Sequence, residues 1–510
     1  MLTQPQLREA LAAMVASATG TDEAEWSQWA SWLSERQGRE LLQLDDIARR
    51  YSPQYAVAVS GTKDWLGPQM ADRSGFVATL TSWHVDGRIR QRATQILAGS
   101  PSPLRAAALA LRSLDHVPQV REDAILGLAM QTGSAEQLDA AMRVLVAARQ
   151  RWNAGSALDA YLTQHQLVHS GREALRPLMC SSDRLVRRWA YEELHRADLL
   201  TIDDLVSGCR SESDQLVRAN CARWLGEHAT PELLASLLGA RFADGRMVAV
   251  QHLDDDLLDE HALELLLLDS SGRVRELARW RARRRGKDLR PFYVGHLHRG
   301  RLLHRETVAC LEGVAEYGAR ADLEPVRGLA TSTSPSVRAS ALSVLAKLDD
   351  RDRATPVLAR SLHDPSSRVA AAAARGLMTF GGGIAEAAEA WQSVQPWTRR
   401  AAWRLHRSTG MWERVEADAH AAADEDPQLS ALGLDGLRNW LNAAAATAWG
   451  KPTPAMQERL ARDLERCPLS VEERRKLAFH AGLPFDEPVI VRTEAAAPDG
   501  RRLLRLLRKD

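Results

Sequence analysis

Asp183-Arg184-Leu185-Val186-Arg187-Arg188-Trp189-Ala190-Tyr191-Glu192-Glu193-Leu194 reads as a single helix, because Val186, Ala190 and Leu194 stand four apart and residues at that spacing line one stripe of an α-helix. The same stripe recurs along the chain. It appears upstream at Ile89, Ala93 and Leu97 and at Val120, Ala124 and Leu128, and downstream at Val217, Cys221 and Leu225. Three further copies follow at Val274, Ala278 and Ala282, at Val337, Ala341 and Leu345, and at Val369, Ala373 and Leu377. The first members of the seven copies are 31, 66, 31, 57, 63 and 32 residues apart. The long intervals are close to twice the short ones, which gives a period of about 30. Degenerate copies are therefore expected near Trp152, Met247 and His304, with a later, frayed one near Arg400.

A period of that length holds two helices of about 11 to 13 residues and two turns. So small a unit cannot bury enough apolar surface to fold alone, so its copies must stack. The fold expected is all-α: an α-solenoid, or superhelix, of about ten to twelve helical hairpins closed by helical caps. Asp183, Asp214, Asp269 and Asp364 precede their stripes by three to five residues, where a side-chain oxygen can cap free amide groups. Pro118, Pro335 and Pro365 mark the same turn. A small residue in mid-stripe lets helices approach closely, while the flanking Leu and Val supply the buried area.

Asp183-Arg184-Leu185-Val186-Arg187, Asp214-Gln215-Leu216-Val217-Arg218 and Asp364-Pro365-Ser366-Ser367-Arg368-Val369 resemble the short HEAT repeats also found in phycobilin-lyase-type proteins, here of bacterial type. The resemblance covers roughly residues 81–410. It implies that the basic residue after the Val pairs with acidic neighbours in adjacent repeats, which assigns Arg187, Arg218, Arg275 and Arg338 to structure. HEAT repeats serve transport factors, phosphatase scaffolds, pigment lyases and some DNA glycosylases, so the resemblance fixes a fold and leaves the activity open.

Around this array, residues 1–80 read as an N-terminal helical cap with Trp26, Trp29 and Trp32 filling it. Residues 411–484 read as further helical repeats or a C-terminal cap, and 485–510 as a linker and a basic amphipathic tail. The composition, 45% hydrophobic and 26% charged with a formal net charge of +1, gives no global pull towards nucleic acid or acidic lipid. Cys180, Cys209, Cys221, Cys310 and Cys467 form no CxxC pair and read as buried thiols of a reducing compartment. The apolar stretch 10–18 follows Arg8 and Glu9 without a basic cluster, unlike a secretory leader. No run approaches the roughly 18 uncharged apolar residues of a membrane span, and a cytoplasmic location is expected.

The strongest local anomaly is residues 273–305, with twelve Lys or Arg against two acidic residues and with Trp280, Phe292 and Tyr293 interleaved. The candidate binding residues are Arg279, Arg283, Arg284, Arg285, Lys287, Arg290 and Trp280. Arg275, Arg279 and Arg283 to Arg285 should point to solvent or to a neighbouring helix once the stripe faces inward. Such a surface can hold phosphates in a salt-sensitive way while its aromatics stack on bases. The acidic segment 254–260 offers an internal counterpart. His165 and His169 stand four apart but lack the glutamate of the HExxH signature, since Gln166 and Leu167 follow His165, and His296, His298 and His304 have no carboxylate that spacing singles out as a ligand; no catalytic motif or cofactor signature is present. The reading is a non-enzymatic scaffold or adaptor that grips a protein or peptide partner. A nucleic-acid-binding protein, a DNA glycosylase-like enzyme included, and a cofactor lyase or chaperone are the alternatives. Oligomeric state is not legible.

Overall fold

The computed structural model describes residues 2–18, 22–50, 75–131, 134–149, 154–165, 167, 169–226, 228–381, 383–448 and 450–484. Among them every regular element is helical. The chain is an all-α solenoid whose helices fall into two compact units, one ending at Ala229 and the other beginning at Thr230. The expected copy near Trp152 and the C-terminal tail fall on or run into residues outside those described.

The first unit contains α1 (Gln4–Ala18), α2 (Glu23–Ser34), α3 (Gly38–Arg50), α4 (Phe76–Thr81), α5 (Gly87–Leu97), α6 (Pro103–Arg112), α7 (Pro118–Met130), α8 (Ala135–Ala148) and α9 (Ala154–Gln164). A 3-10 segment (His169–Cys180) then leads to α10 (Arg184–Arg196), α11 (Ile202–Ser211) and α12 (Gln215–Gly226). The second unit opens with α13 (Pro231–Leu237), α14 (Ala243–His252), α15 (Glu260–Leu267), α16 (Gly272–Arg284), α17 (Leu289–Arg299), α18 (His304–Tyr317), α19 (Leu323–Leu329) and α20 (Pro335–Leu348). It continues through α21 (Arg351–Ser361), α22 (Ser367–Thr379), α23 (Ile384–Trp391), α24 (Pro396–Arg407), α25 (Met411–Ala422), α26 (Pro427–Ala443), α27 (Pro454–Arg466) and α28 (Val471–Ala481).

The stripe helices start at residues 184, 215, 243, 272, 304, 335, 367, 396 and 427, so the degenerate copies near Met247, His304 and Arg400 sit in register with the strong ones. Val186, Ala190 and Leu194 are buried, as are Val217, Cys221 and Leu225 and their later equivalents. Each fully buried Val or Leu stabilises the stack by roughly 1.5–3 kcal/mol.

Arginine supplies a second periodicity. Arg338 donates to the carbonyls of Ser332 and Thr333 at 2.8 and 3.2 Å and clamps Asp364 of the next repeat with two 2.8 Å bonds. Arg399 repeats this with Ser393, Val394 and Asp424, and Arg246 with Ala240, Arg241 and Asp269. In the first unit Arg187 reaches the Ser181 carbonyl and Glu212, and Arg218 reaches the carbonyls of Glu212 and Ser213. Each guanidinium thus closes the turn before its own helix, and most also tie that turn to the next repeat. The bidentate fork suits arginine and not lysine. Arg338→Ala is expected to lower stability by about 1–2 kcal/mol, read as a drop in urea midpoint, and Arg338→Lys should recover less than half of that loss.

The aspartates divide their roles more finely than expected. Asp183 caps α10 through the Leu185 amide at 2.8 Å, and Asp214 accepts from Leu216 and Val217. Asp269 and Asp364 instead accept from Ser271 and Ser366, which are themselves the N-cap residues. Their carboxylates order the preceding turn and receive the arginine fork, so they do not cap the helix. Cys180 departs from expectation as well: it is exposed, whereas the other four thiols are buried.

The N-terminal helices pack within the first unit, α2 against α6 and α3 against α8. Arg143 in α8 donates to the carbonyls of Ser34 and Arg36 at 2.8 and 3.1 Å, and the Gly38 amide donates to Asp183 at 3.1 Å. A Cβ at Gly38 would stand 1.8 Å from the Arg143 carbonyl oxygen, so only glycine permits this approach. Trp26 and Trp29 are buried, the Trp26 indole donating to Ser17 at 3.0 Å, and Trp32 meets Trp29 edge-on at 5.6 Å. Asp45 and Arg49 of α3 join a buried cluster with Arg90, Arg112 and Asp115.

Candidate functional site

The basic segment falls on α16, α17 and the turns around them, and most of its cations are engaged within the unit. Arg275 and Arg279 are buried against α18, paired with Glu312 and Glu316, and Arg279 also donates to the Tyr293 hydroxyl at 3.1 Å. They take the neighbouring-helix course, away from solvent. Arg281 is buried as well. It spans to the carbonyls of Val250, Gln251 and Leu253 and to Asp255. Arg285 reaches the Asp255 carbonyl at 2.7 Å and its carboxylate at 3.4 Å, and Lys287 pairs with Glu260. The acidic segment 254–260 is thus the counterpart of these cations. Arg281, with Arg285 behind it, holds the Asp255 carboxyl below the usual carboxylate range. Arg290 forks onto Asp322 at 2.9 and 3.1 Å and lowers that carboxyl likewise.

What this helix presents outward is narrower. Trp280 is 42% exposed, and the guanidinium of Arg284 lies 4.9 Å from its ring centroid. Arg283, also exposed, donates to the Tyr317 hydroxyl at 3.2 Å and stands 3.8 Å from Glu316. Met247, Gln251, Leu277, Trp280 and Arg283 line an open groove of about 510 Å³ between α14 and α16. Of the seven candidate residues, the structure therefore brings Trp280, Arg283 and Arg284 together on one surface and places the other four in intramolecular pairs.

A larger concavity, of about 780 Å³, lies elsewhere in the second unit, among α23, the end of α24, α25 and α27. Its apolar wall is Ala387, Ala388 and Trp391. α23 has eight residues, whereas α25 has twelve and α27 thirteen. On its floor the nearly buried Glu416 meets His406 at 3.3 Å and also pairs with Arg459. Burial by itself would raise the Glu416 carboxyl, but His406 and Arg459 outweigh it and hold it low. His420 bonds Asp463 at 2.9 Å and meets the Trp391 ring edge-on at 4.5 Å. Among the described residues no three His, Cys, Asp or Glu side chains converge to hold a metal ion. This site draws on residues 387–466 with no linear motif, and only its pairs of cation and carboxylate across the fold reveal it.

Residues 304–378 match the family model for HEAT repeats, and no curated protein matches the chain. Among solved structures the chain is similar to importin beta crystallised from ammonium sulfate, at 12% identity, covering 94% of this chain and 72% of that one with a TM-score of 0.36. It is similar also to the Kap95p–RanGDP structure, at 12% identity, with 90% and 66% covered and a TM-score of 0.34. A third is Kap121p bound to the extreme C-terminus of the phosphatase Cdc14p, at 14% identity, with 94% and 55% covered and a TM-score of 0.26. The chain thus spans between about half and three quarters of those longer proteins. The matched residues 304–378 run from α18 into α22 and include the Arg338 fork onto Asp364, so the likeness to HEAT repeats rests on this stretch of the all-α solenoid.

Proposed function

We propose that the protein is a non-enzymatic scaffold that grips a protein partner along the surface of its repeats. The observation that carries this reading is the exposed Trp280 with Arg284 laid against it above an open groove. Tryptophan and arginine side by side in a desolvatable notch are the residues that dominate protein interfaces. The same helix commits Arg275, Arg279, Arg281 and Arg285 to internal partners, which leaves few free cations to release counterions from a nucleic-acid backbone. Kinship with phycobilin-lyase-type proteins rests on the motifs at Asp183, Asp214 and Asp364 alone, and would call for a chromophore copurifying with the chain.

Affinity capture from a lysate of the native host, split into nuclease-treated and untreated halves, tests the scaffold reading. A stoichiometric protein partner is expected in both halves, and Trp280→Ala with Arg284→Ala is expected to reduce its recovery at least about tenfold, the effect of losing one interface hot spot. Retention of nucleic acid in place of protein, or recovery indifferent to both substitutions, would overturn it.

A further inference from the structure

From the concavity lined by Trp391, His420 and Arg462 we infer a second site, specific for an acidic peptide segment that carries a bulky apolar side chain between its carboxylates. Three features fix the chemistry of the ligand.

The first is the disposition of charge. Arg459, Arg462 and Arg466 stand three and four residues apart on α27 and line one rim, the spacing that puts helical side chains on one face. Arg459 is spent on Glu416. Arg462 has only a long bond to the Glu458 carbonyl at 3.4 Å, and Arg466 donates to the Ala423 carbonyl at 3.1 Å. Both are exposed, and neither has a carboxylate partner within the described residues. Against them stands one exposed acid, Glu465. The two carboxylates of the floor are already covered, Glu416 by His406 and Arg459 and Asp463 by His420. The site therefore offers an incoming carboxylate two exposed guanidinium groups whose described partners are backbone carbonyls.

The second feature is the opposite wall. Ala387 and Ala388 leave room beside the Trp391 ring, a surface that takes an aliphatic or aromatic side chain. A ligand that satisfies both walls carries its acidic groups within a few ångströms of an apolar one. The third is size. A volume of about 780 Å³ exceeds the need of a single inorganic anion and lies within the range of pockets that bury a drug-sized ligand or several side chains. The choice of a peptide rests on the scaffold reading above, but the site is separate from the Trp280 surface and is tested separately.

The direct test is fluorescence anisotropy on the full chain. The probes are a fluorescein-labelled decapeptide with leucine set between pairs of glutamates, the same peptide with lysine for glutamate, and one with serine for leucine. The acidic peptide is expected to bind, the lysine peptide not to, and the serine peptide to bind more weakly. Arg462→Glu with Arg466→Glu is expected to weaken the acidic peptide by more than about tenfold, the scale of losing charge-assisted bonds. Arg475→Glu with Lys476→Glu makes the same charge change on the exposed face of α28 and is expected to leave binding within twofold of wild type, a value set by additivity of distant sites. Circular dichroism confirms that both double variants fold. Equal binding of the lysine peptide, equal loss in both double variants, or full competition by millimolar citrate or a single-stranded oligonucleotide would each overturn the assignment. Failure here with Trp280-dependent capture intact would remove this site and leave the scaffold reading standing.

Discussion

Asp115→Ala is expected to unfold the first unit under conditions in which the wild-type chain is folded, with a loss of about 3–5 kcal/mol, the usual effect of stripping the partner from a buried charge. Asp115 is almost fully buried and lies at the centre of five ionised side chains drawn from α3, α5, α6 and the turn after α6. Its two oxygens accept from Arg90 at 2.8 and 2.9 Å, from Arg49 at 3.0 Å, from Arg112 at 3.4 Å and from the Val117 amide at 3.0 Å. Burial alone would push its carboxyl up, but these donors overcome that and hold it far below the ordinary carboxylate range.

The consequences for the arginines differ. With Asp115 gone, Arg112 retains Asp45 at 2.5 Å, but Arg90, only 1% exposed, loses its one carboxylate among the described residues and keeps the carbonyls of His84 and Val85. The cost therefore comes chiefly from Arg90 left charged and unpaired, and Arg90→Met in the same chain is expected to restore part of the stability. The measurement is hydrogen exchange with mass spectrometry at increasing urea, resolving peptides of residues 76–130 from those of the second unit. Protection lost from the first unit at much lower urea, with the second unit unchanged, is the expected pattern. An unchanged midpoint in both units would show that Asp115 holds nothing together.

The sequence made the stripe helices legible because a buried surface repeated every 30 residues leaves a local pattern: Val, Ala and Leu at i, i+4 and i+8. It even placed α14 and α18, where the pattern is worn, because neighbouring copies fix the register. The arginine forks were legible in identity through the HEAT-like motif, and Arg338 with Asp364 shows why: both partners sit at fixed places in the repeat. Asp269 was harder. Whether a carboxylate caps a helix or orders the turn before it depends on one residue of register, and sequence spacing does not resolve that. The basic segment stands out as a charge run, and the acidic stretch upstream, close in sequence, pairs with Arg281, Arg285 and Lys287. Glu312 and Glu316, however, lie 37 residues beyond Arg275 and Arg279, and only the packing of α16 on α18 brings them in. The concavity at Trp391 had no linear signature at all, since its walls come from four helices whose individual sequences are ordinary.

Asp418 gives the other large effect, and its sign with pH is opposite to that of Asp115. It is fully buried in α25 and accepts the Trp403 indole at 2.8 Å and stands 2.9 Å from the Arg407 guanidinium, both from α24. Its second oxygen has no hydrogen-bond partner among the described residues and faces Gly436 of α26, where a Cβ would come within 2.4 Å of it. Burial is the dominant influence and raises the carboxyl to about 6, with Trp403, Arg407 and Arg414 opposing it only in part.

A carboxyl raised in the folded state binds more protons folded than unfolded across the interval between its ordinary value, 3.8, and about 6. Stability from this group is therefore fully present below that interval, declines as pH rises through it, and is gone above it. A shift of that size corresponds to about 3 kcal/mol. Asp418→Asn cannot ionise, yet it keeps the size of the side chain and an acceptor for Trp403. The stability difference between variant and wild type, from urea titrations of the second unit at pH 4, 5, 6 and 7, cancels the other titrating groups. That difference is expected to move in favour of asparagine by about 2–3 kcal/mol from pH 4 to pH 7, and to level off above pH 6.5. A difference independent of pH would show that Asp418 is ionised throughout, its charge satisfied by Arg407, and that the tight fit beneath Gly436 carries no electrostatic penalty.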